Sequence, residues 1–467
     1  MRNGLKKYIG TREFYSRAMA IAIPMIMQNL ITNFVSMLDN IMVGQVGTAP
    51  MSGVSIANQL IFVFNITVFG GVSGASIFGT QFFGKKDKEG QKYTFRFRII
   101  MALALIAIFS SVFYFAGKSL LSLFISKNDA PELRAETLAF GMEYLRIMII
   151  GLIPFAFGQA YASVVRECGE TKVPMVGSMA AIGVNLILDY GLIFGKLGMP
   201  CLGVKGAAIA TVVAKTVEAL VVIIWTHINH EKIACAQGLY KSLRIPGELT
   251  RKIIVKGLPL LCNEFLWSLG MSIIAQCYSV RGLDVVAARN IAGTMINLFN
   301  VFFVQMGAAI GIIVGAKLGA NELDEARRDA DKLNFFSLAV TAGLTLIMIP
   351  VAYVFPMMYK TEPDIRALAT YFILVQAIAL PMWSYTNACY FILRSGGRTG
   401  ITFLFDFIYT WVVMIPLAFV LANFTSLEIH MLFVVVTFSE IIKVIVGYFM
   451  VKSGIWVQNI VKDRSDE

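Results

Sequence analysis

Four polar side chains interrupt apolar, helix-length segments of the sequence. Asp39 lies in the stretch 24–47, PMIMQNLITNFVSMLDNIMVGQVG, while Asn185 and Asp189 lie in NLILDYGLIFG and Thr211 lies in GAAIAT. Asp39, Asp189 and Thr211 are each about five or six residues from the outer end of a predicted membrane span, which at 1.5 Å per residue puts them roughly 8 Å below the same edge. Asn185 precedes Asp189 by one helical turn and shares its helix face. The four side chains are therefore predicted to meet.

An aspartate in an apolar span costs about 2.5–3.5 kcal/mol near the bilayer centre, so a helix retains one only when something offsets that cost. Two carboxylates, a carboxamide and a hydroxyl offer hard oxygen ligands that suit a sodium ion, and two like charges can also share a proton. We therefore predict a coupling-cation site formed by Asp39, Asn185, Asp189 and Thr211, with Na+ as its candidate metal ion. The alternative is that each acid packs between helices with a hydrogen-bonded partner or faces the headgroups. No catalytic residue is predicted, and no cofactor is expected beyond the coupling ion, Na+ or H+.

The second half of the chain contains a lone acid of its own. Glu264, in GLPLLCNEFLWSLG, falls near the middle of a span without a nearby basic residue on its helix. It is predicted to bind a proton, a cation or the substrate, with a buried structural acid as the alternative. Glu440 and Lys443 are spaced i,i+3, which predicts a structural pair. Asp406 has no partner at such a spacing and is predicted to lie at the membrane interface.

The composition is that of a polytopic membrane protein. Hydrophobic residues make up 57% of the 467 residues, charged residues make up 15%, and the mean hydropathy is +0.72, whereas a globular chain is about 25% charged. The net charge of +11 does not indicate nucleic-acid binding, because the basic residues lie in alternate loops rather than on one face with aromatic residues. The six cysteines are scattered without a CxxC pair, which argues against a zinc site.

Twelve segments are apolar and long enough to span a bilayer, which takes about 20 residues. Lysine and arginine concentrate in every second loop, on the same side as the N-terminus, so both termini are predicted to be cytoplasmic in a multi-pass plasma membrane protein. The basic N-terminus is interpreted as mature sequence because no small-residue cleavage site follows it. The predicted spans are 15–43, 53–80, 94–116, 137–163, 172–194, 206–227, 253–280, 286–315, 333–358, 366–392, 399–421 and 428–451.

A polar loop at 228–252 divides these spans six and six. We predict an all-α fold with an N-terminal six-helix bundle over 1–227, a cytoplasmic linker over 228–252, and a C-terminal six-helix bundle with a short tail over 253–467. The two bundles are predicted to be related by a pseudo-twofold axis along the membrane normal, because prolines and glycines recur between the halves. Shifts of 235 and 227 residues produce the pairs Pro24/Pro259, Gly47/Gly282, Gly84/Gly319, Pro154/Pro381 and Gly169/Gly396.

The repeat also distinguishes the two halves. The same shifts set Asp39 against Ile274 and Asp189 against Pro416. The predicted cation site therefore belongs to the first half only.

Four motifs in this order resemble the multidrug and toxic compound extrusion (MATE) family over essentially the whole chain: P-x(14)-D-x(4)-G from Pro24 to Gly44, NLILD, GxxGAAxAT from Gly203, and GLPLxxxE ending at Glu264. The resemblance implies cation-coupled efflux through a V-shaped pair of six-helix bundles. It implies that Asp39, Asn185, Asp189 and Thr211 match the cation site of the N-terminal bundle, that Glu264 matches the acid of the C-terminal bundle, and that Pro24 matches a helix-bending proline. Some members pair that glutamate with an aspartate on span ten, where this chain reads PMWSYTNACYFILR. The departure favours coupling through the N-terminal bundle.

We accordingly predict an antiporter that exports lipophilic, often cationic drugs by alternating access. The expected partners are small organic cations or lipophilic drugs and the lipid bilayer, with no nucleic acid, and the functional unit is expected to be a monomer. A flippase for a lipid-linked saccharide is one alternative, although its pyrophosphate would favour basic residues in the spans rather than in the loops. A membrane-embedded enzyme is another, but the three histidines form no HxxxH or HExxH pattern. A channel is the remaining alternative.

Overall fold

A computed structural model describes residues 8–125, 130–359 and 361–462 of the chain. Over these residues the regular structure is helical and contains no strand. Twelve of the helices found there are long and apolar enough to cross a membrane, which confirms the predicted all-α integral membrane fold. These helices are α1 Arg12–Gly44, α2 Thr48–Lys85, α3 Lys88–Leu123, α4 Pro131–Glu167, α5 Lys172–Phe194, α6 Val204–Ile228, α7 Gly247–Ser279, α8 Leu283–Gly319, α9 Leu323–Val354, α10 Pro363–Ser395, α11 Thr399–Phe424 and α12 Ile429–Ser453.

Most of the helices are longer than the apolar segments that predict them. Helix α2 has 38 residues and α4 has 37, whereas about 20 residues span the hydrocarbon. Hydropathy marks only the part of a helix that lies in apolar surroundings, and the backbone hydrogen bonds continue past it. The first seven residues of the predicted N-terminal segment and the end of the predicted C-terminal tail lie outside the described residues.

The helix ends follow ordinary capping chemistry. Asp87 accepts a hydrogen bond from the backbone N–H of Gly90 at 2.9 Å and caps α3. Pro131 and Pro363 are the first residues of α4 and α10, where a missing N–H has no consequence. Gly195 ends α5 in the left-handed conformation, with φ +66°.

The helices form two compact units. One comprises Ile23–Gly79 and Asp87–Ile254, and the other comprises the chain from Val255 onward, the segment Thr80–Lys86 and the N-terminal residues through Ala22. In the first unit α6 packs mainly against α4 and α5. In the second, α10 packs mainly against α8 and α9. The domain limits of 227 and 253 that the sequence suggests stay predictions.

The polar segment between α6 and α7 packs against the first unit. It contains two short 3-10 turns, Ala234–Ala236 and Leu239–Lys241. Cys235 and Leu239 are buried in a cluster with Phe95 and Tyr161. The Arg96 guanidinium donates to the Leu239 carbonyl at 3.0 Å. Apolar side chains within an otherwise polar segment thus fix its path.

Two irregularities mark the last two helices. Helix α11 contains a π-helical stretch, Tyr409–Met414, just before Pro416. Proline has no N–H and its ring displaces the preceding carbonyl, so a wider turn relieves the clash. Helix α12 is interrupted at Ser439, and the hydroxyl oxygens of Tyr409 and Ser439 are 2.9 Å apart. The two irregular segments therefore touch.

Candidate functional site

Helices α1 and α5 carry the two aspartates of the predicted cation site. Asp39 precedes the end of α1 at Gly44 by five residues, and Asp189 precedes the end of α5 at Phe194 by five residues. Both aspartates therefore lie about a turn and a half from a helix end. Asp189 is 1% exposed and Asn185, one turn earlier, is 3% exposed. The face predicted to carry polar chemistry is a buried one.

The side chains of Asp39, Asp189 and Asn185 lie together. The Asp189 side chain interacts with those of both Asp39 and Asn185. Among the described residues, five of their polar atoms are buried without a well-formed hydrogen bond: Oδ1 of Asp39, both oxygens of Asp189, and Oδ1 and Nδ2 of Asn185. Each such atom is destabilising by about 1–3 kcal/mol. A bound cation, or a proton shared between the carboxylates, would satisfy this group.

Thr211 joins the group through Tyr144, a residue that the sequence analysis missed. Tyr144 lies on α4 and is 5% exposed. Its phenol interacts with the side chains of Thr211 and Asn58, and the charges of both aspartates act on it. The structure thus brings Tyr144 close to Thr211 and to both aspartates.

Lys215 is the cation whose charge acts on Asp39. It follows Thr211 by one turn of α6, and its Nζ is 2.9 Å from Oε2 of Glu218. The two residues are spaced i,i+3, which places them on one face of the helix. Because the ammonium already contacts the Glu218 carboxylate, it offsets only part of the negative charge of Asp39.

A chain of side-chain hydrogen bonds holds α1 beside Pro24. Arg166 Nη2 donates to Gln28 Oε1 at 2.9 Å, Gln28 Nε2 donates to Ser178 Oγ at 2.8 Å, and Ser178 Oγ donates to Glu218 Oε1 at 2.5 Å. Pro24 lies inside α1, which is helical on both sides of it. Since proline cannot donate to the preceding turn, α1 is held by α4 and α5 near the point where its own backbone bonding is weakest, and Glu218 of α6 in turn holds Ser178.

Glu264 lies in the other compact unit, on α7, and is half-buried. Arg394 is the cation whose charge acts on it, and Asp406 is a nearby acid. The residue before it, Asn263, donates from Nδ2 to Asp406 Oδ2 at 3.0 Å. The role predicted for Glu264 stays a prediction.

The interfacial position predicted for Asp406 stays a prediction, but the side chain has a partner on another helix. Asp406 is 9% exposed, and its Oδ1 is 2.6 Å from Nζ of Lys443 on α12. Lys443 Nζ is also 3.7 Å from Oε1 of Glu440, so the predicted i,i+3 pair forms but gives the longer contact. Sequence spacing identifies partners on one helix, whereas the partner of Asp406 comes from the next helix. We name Asp406, Glu440 and Lys443 the Lys443 cluster.

Some of the residues that the sequence analysis did not assign to the site could have been found from their spacing in the sequence, and others could not. Lys215 follows Thr211 at i,i+4, so the pattern already placed it on the face of the predicted site. Tyr144 and Asn58 lie in apolar stretches without a nearby acid of the site, and only the packing of α2 and α4 brings them there. Gln28 follows Pro24 by one turn, but the partners of its side chain come from two other helices.

A sequence model of one family matches this chain in two places. The MatE model aligns with residues 24–191 and again with residues 259–420. The chain belongs to the MatE family. The second match begins 235 residues after the first, the shift that aligns Pro24 with Pro259, and this confirms the internal repeat. Membership makes the protein a MATE transporter rather than an enzyme.

Curated relatives match the chain over most of its length. The probable multidrug resistance protein NorM of Thermotoga maritima is 24% identical over 422 residues, covering 89% of this chain and 87% of the relative. The probable multidrug resistance protein YoeA of Bacillus subtilis is 25% identical over 424 residues, covering 87% of each. The similarity therefore covers both halves of the transporter.

Solved structures show the same fold. MATE in complex with MaL6 superposes with a TM-score of 0.82 at 17% identity, covering 96% of this chain and 98% of that one. An outward-facing multidrug resistance MATE family transporter gives 0.81 at 18% identity, covering 97% and 98%. The helical membrane architecture is thus shared at low sequence identity.

Proposed function

We propose that this MATE transporter is a cation-coupled antiporter that exchanges Na+ or H+ for lipophilic, often cationic drugs by alternating access. The single observation that supports it most strongly is the buried group of Asp39, Asp189 and Asn185, in which five polar atoms have no hydrogen-bond partner among the described residues. Such a group is poorly satisfied when empty and well satisfied when it holds one positive charge. Binding of a cation therefore changes the local free energy, as coupling requires.

The proposed coupling step begins with neutralisation of the two aspartates. A cation entering from the outer side removes their mutual repulsion and changes how α1 packs against α5. Pro24 supplies the weak point at which α1 bends, and Gln28, one turn away, releases its hydrogen bonds to Arg166 and Ser178. Moving one charge down 100 mV supplies about 2.3 kcal/mol for this change. The bend would then shrink the cavity and expel the drug.

The proposed substrate class follows from the relatives and from composition. The two relatives described above are named as probable multidrug resistance proteins. This chain has 23 methionines and 35 phenylalanines, side chains that can repack around ligands of different shape. We propose small organic cations or lipophilic drugs as substrates of a functional monomer. Glu264 is proposed as the acid of the C-terminal half that binds a proton or the substrate.

Efflux of a cationic dye from reconstituted vesicles tests the proposal, with Na+ and H+ gradients imposed separately. The wild type is expected to respond to one gradient, and Asp39→Asn is expected to lose that response while remaining folded and inserted. Asp284→Asn, which removes an exposed carboxylate at the start of α8, is the matched control and should retain it. Gradient-driven efflux by Asp39→Asn would refute the assignment.

The proposed location is the plasma membrane, with both termini cytoplasmic. Its support is the concentration of basic residues in alternate loops. Single cysteines introduced near the ends of a cysteine-free variant should react with an impermeant maleimide only after the membrane is opened. Labelling of either terminus in intact cells would contradict this orientation.

A further inference from the structure

The Lys443 ammonium lies in a compact cation-binding environment. Asp406 Oδ1 is 2.6 Å from Nζ and Glu440 Oε1 is 3.7 Å from it. The ring centroids of Phe405 and Tyr409 are 5.2 and 5.5 Å from Nζ, which is within range for a cation–π interaction. Two carboxylates and two aromatic faces thus surround one positive charge.

Both carboxylates have further donors from neighbouring helices. Asn263 Nδ2 on α7 donates to Asp406 Oδ2 at 3.0 Å, and Thr386 Oγ1 on α10 donates to Glu440 Oε1 at 3.0 Å. Intramembrane charges are expected to be paired and hydrogen-bonded in this way. Asp406 and Glu440 therefore differ from Asp189, both of whose oxygens lack a partner among the described residues.

Two irregular helical segments and a glycine lie close to Lys443. The π-helical stretch of α11 begins three residues after Asp406, and the interruption of α12 at Ser439 comes just before Glu440. One turn after Lys443, a Cβ added to Gly447 would lie 3.1 Å from Phe405 Cζ and 3.3 Å from Cys389 Sγ. The glycine thus lets α12 approach α10 and α11 closely. Irregular turns of this kind are frequent at functional sites.

We propose that Lys443 is the fixed counter-cation of the C-terminal half, placed where a mobile coupling cation would otherwise bind. An ammonium carries the same charge as Na+ or K+ and accepts the same carboxylate surroundings, but its side chain keeps it in place. Asp406 then stays paired with Lys443 throughout the cycle. Of the two acidic groups, Asp39 with Asp189 and Asp406 with Glu440, only the first exchanges a mobile cation. The inference rests on the proposed function, because it assigns which half of the antiporter exchanges the cation.

Removing the side chain should convert this position into a site for a mobile ion. The test measures thermal unfolding of the purified full chain against NaCl and KCl, with choline chloride holding the ionic strength constant. It uses the Asp39→Asn background, which removes the N-terminal site. Asp39→Asn alone is expected to show no saturable shift in Tm, and adding Lys443→Ala is expected to produce one. Adding Lys443→Arg instead, which keeps the charge, should produce none.

Three results would overturn the inference. The first is a saturable shift in Asp39→Asn that disappears on adding Asp406→Asn, since a mobile ion would then bind beside Lys443. The second is that neither Lys443→Ala nor a second variant, Lys443→Ser, gains a saturable shift in Tm with NaCl or KCl. Failure of both variants to fold in NaCl, KCl or methylammonium chloride also overturns it, because these ions are expected to stabilise them.

The outcome is separate from that of the proposed function. If Asp39→Asn retains gradient-driven efflux, the proposed coupling site fails, and the comparison of Asp39→Asn with and without Lys443→Ala still reports on Lys443. If the wild type is coupled to protons, its Tm does not shift with Na+. Removing the Lys443 side chain is still expected to produce a saturable shift in Tm with Na+ or K+.

Discussion

Asp39 and Asp189 in the N-terminal half, and the Lys443 cluster in the C-terminal half, are both groups of buried acids near a lysine, but the lysine is paired differently in each. In the first, Asp39 and Asp189 are neighbours, and Lys215 is already in contact with Glu218 at 2.9 Å. In the second, Lys443 is 2.6 Å from Asp406. The difference is whether the lysine near the acids forms its ion pair with one of them, as Lys443 does with Asp406, or with another residue, as Lys215 does with Glu218. A buried carboxylate that is paired with a lysine already has its charge compensated. A buried carboxylate without such a partner can accept a cation from solution.

The same contrast explains why an internal repeat need not give two equal sites. The MatE model matches both halves, yet the repeat sets Ile274 against Asp39 and Pro416 against Asp189. The acids of the C-terminal half instead come from other positions: Glu264 and Asp406 lie on α7 and α11, the equivalents of α1 and α5, and Glu440 lies on α12. A shared helical scaffold therefore constrains where helices pack, while individual side chains decide which polar groups each half contains.

The largest expected effect is that of Asp189→Asn. Losing one of the two facing carboxylates should abolish gradient-driven dye efflux, because a single acid beside a partly engaged Lys215 no longer favours an added cation. Asp406→Asn is the matched change in the other half. It leaves Lys443 with Glu440 and should retain coupled efflux in the same vesicle assay. Equal loss in both variants would erase the distinction between the halves.

Lys443→Met should cause the next largest effect, on stability. Removing one partner of a buried ion pair typically costs about 3–5 kcal/mol, whereas removing both can be nearly neutral. Chemical unfolding in detergent should therefore show a large loss for Lys443→Met and recovery of most of it in Lys443→Met with Asp406→Asn. A double variant as unstable as the single one would show that the Asp406 contact is not what holds Lys443.

Pro24→Ala separates bending from binding. Alanine restores the backbone N–H that proline lacks and straightens the helix, so the efflux rate should fall while cation affinity is unchanged. Pro259→Ala, at the equivalent position of the repeat, should affect efflux far less. The measurement is dye efflux as a function of cation concentration. An unchanged maximal rate in Pro24→Ala would remove Pro24 from the coupling mechanism.

Tyr144→Phe should have the smallest effect. Its hydroxyl interacts with Thr211 and Asn58 beside the carboxylates, and one hydrogen bond contributes about 0.5–1.5 kcal/mol. The cation concentration for half-maximal efflux should therefore rise roughly 2–10-fold. Tyr390→Phe, next to Asn263 in the other half, should leave it unchanged. A rise in both variants would point to general loosening rather than a local contact.

Much of this architecture follows from the sequence. The order and number of spans over the described residues, the fold class and the repeat could be predicted, because apolar runs and recurring prolines and glycines are local features of the chain. The grouping of Asp39, Asn185 and Asp189 could also be predicted by counting depth from helix ends. Helix ends were the weaker part, since hydropathy marks the apolar region and not the last hydrogen-bonded turn.

Only the tertiary structure decided which charges meet. Asp406 looked unpaired because its partner, Lys443, lies on the next helix. The i,i+3 and i,i+4 rules identify partners only within one helix. Tyr144 looked like packing because nothing in its own helix marks it as part of a polar group. The sequence determines that buried charge must be compensated, as the low dielectric of the membrane demands. The packing of helices determines whether that compensation is a tethered lysine, as at Asp406, or, as we propose for Asp39 and Asp189, a bound ion.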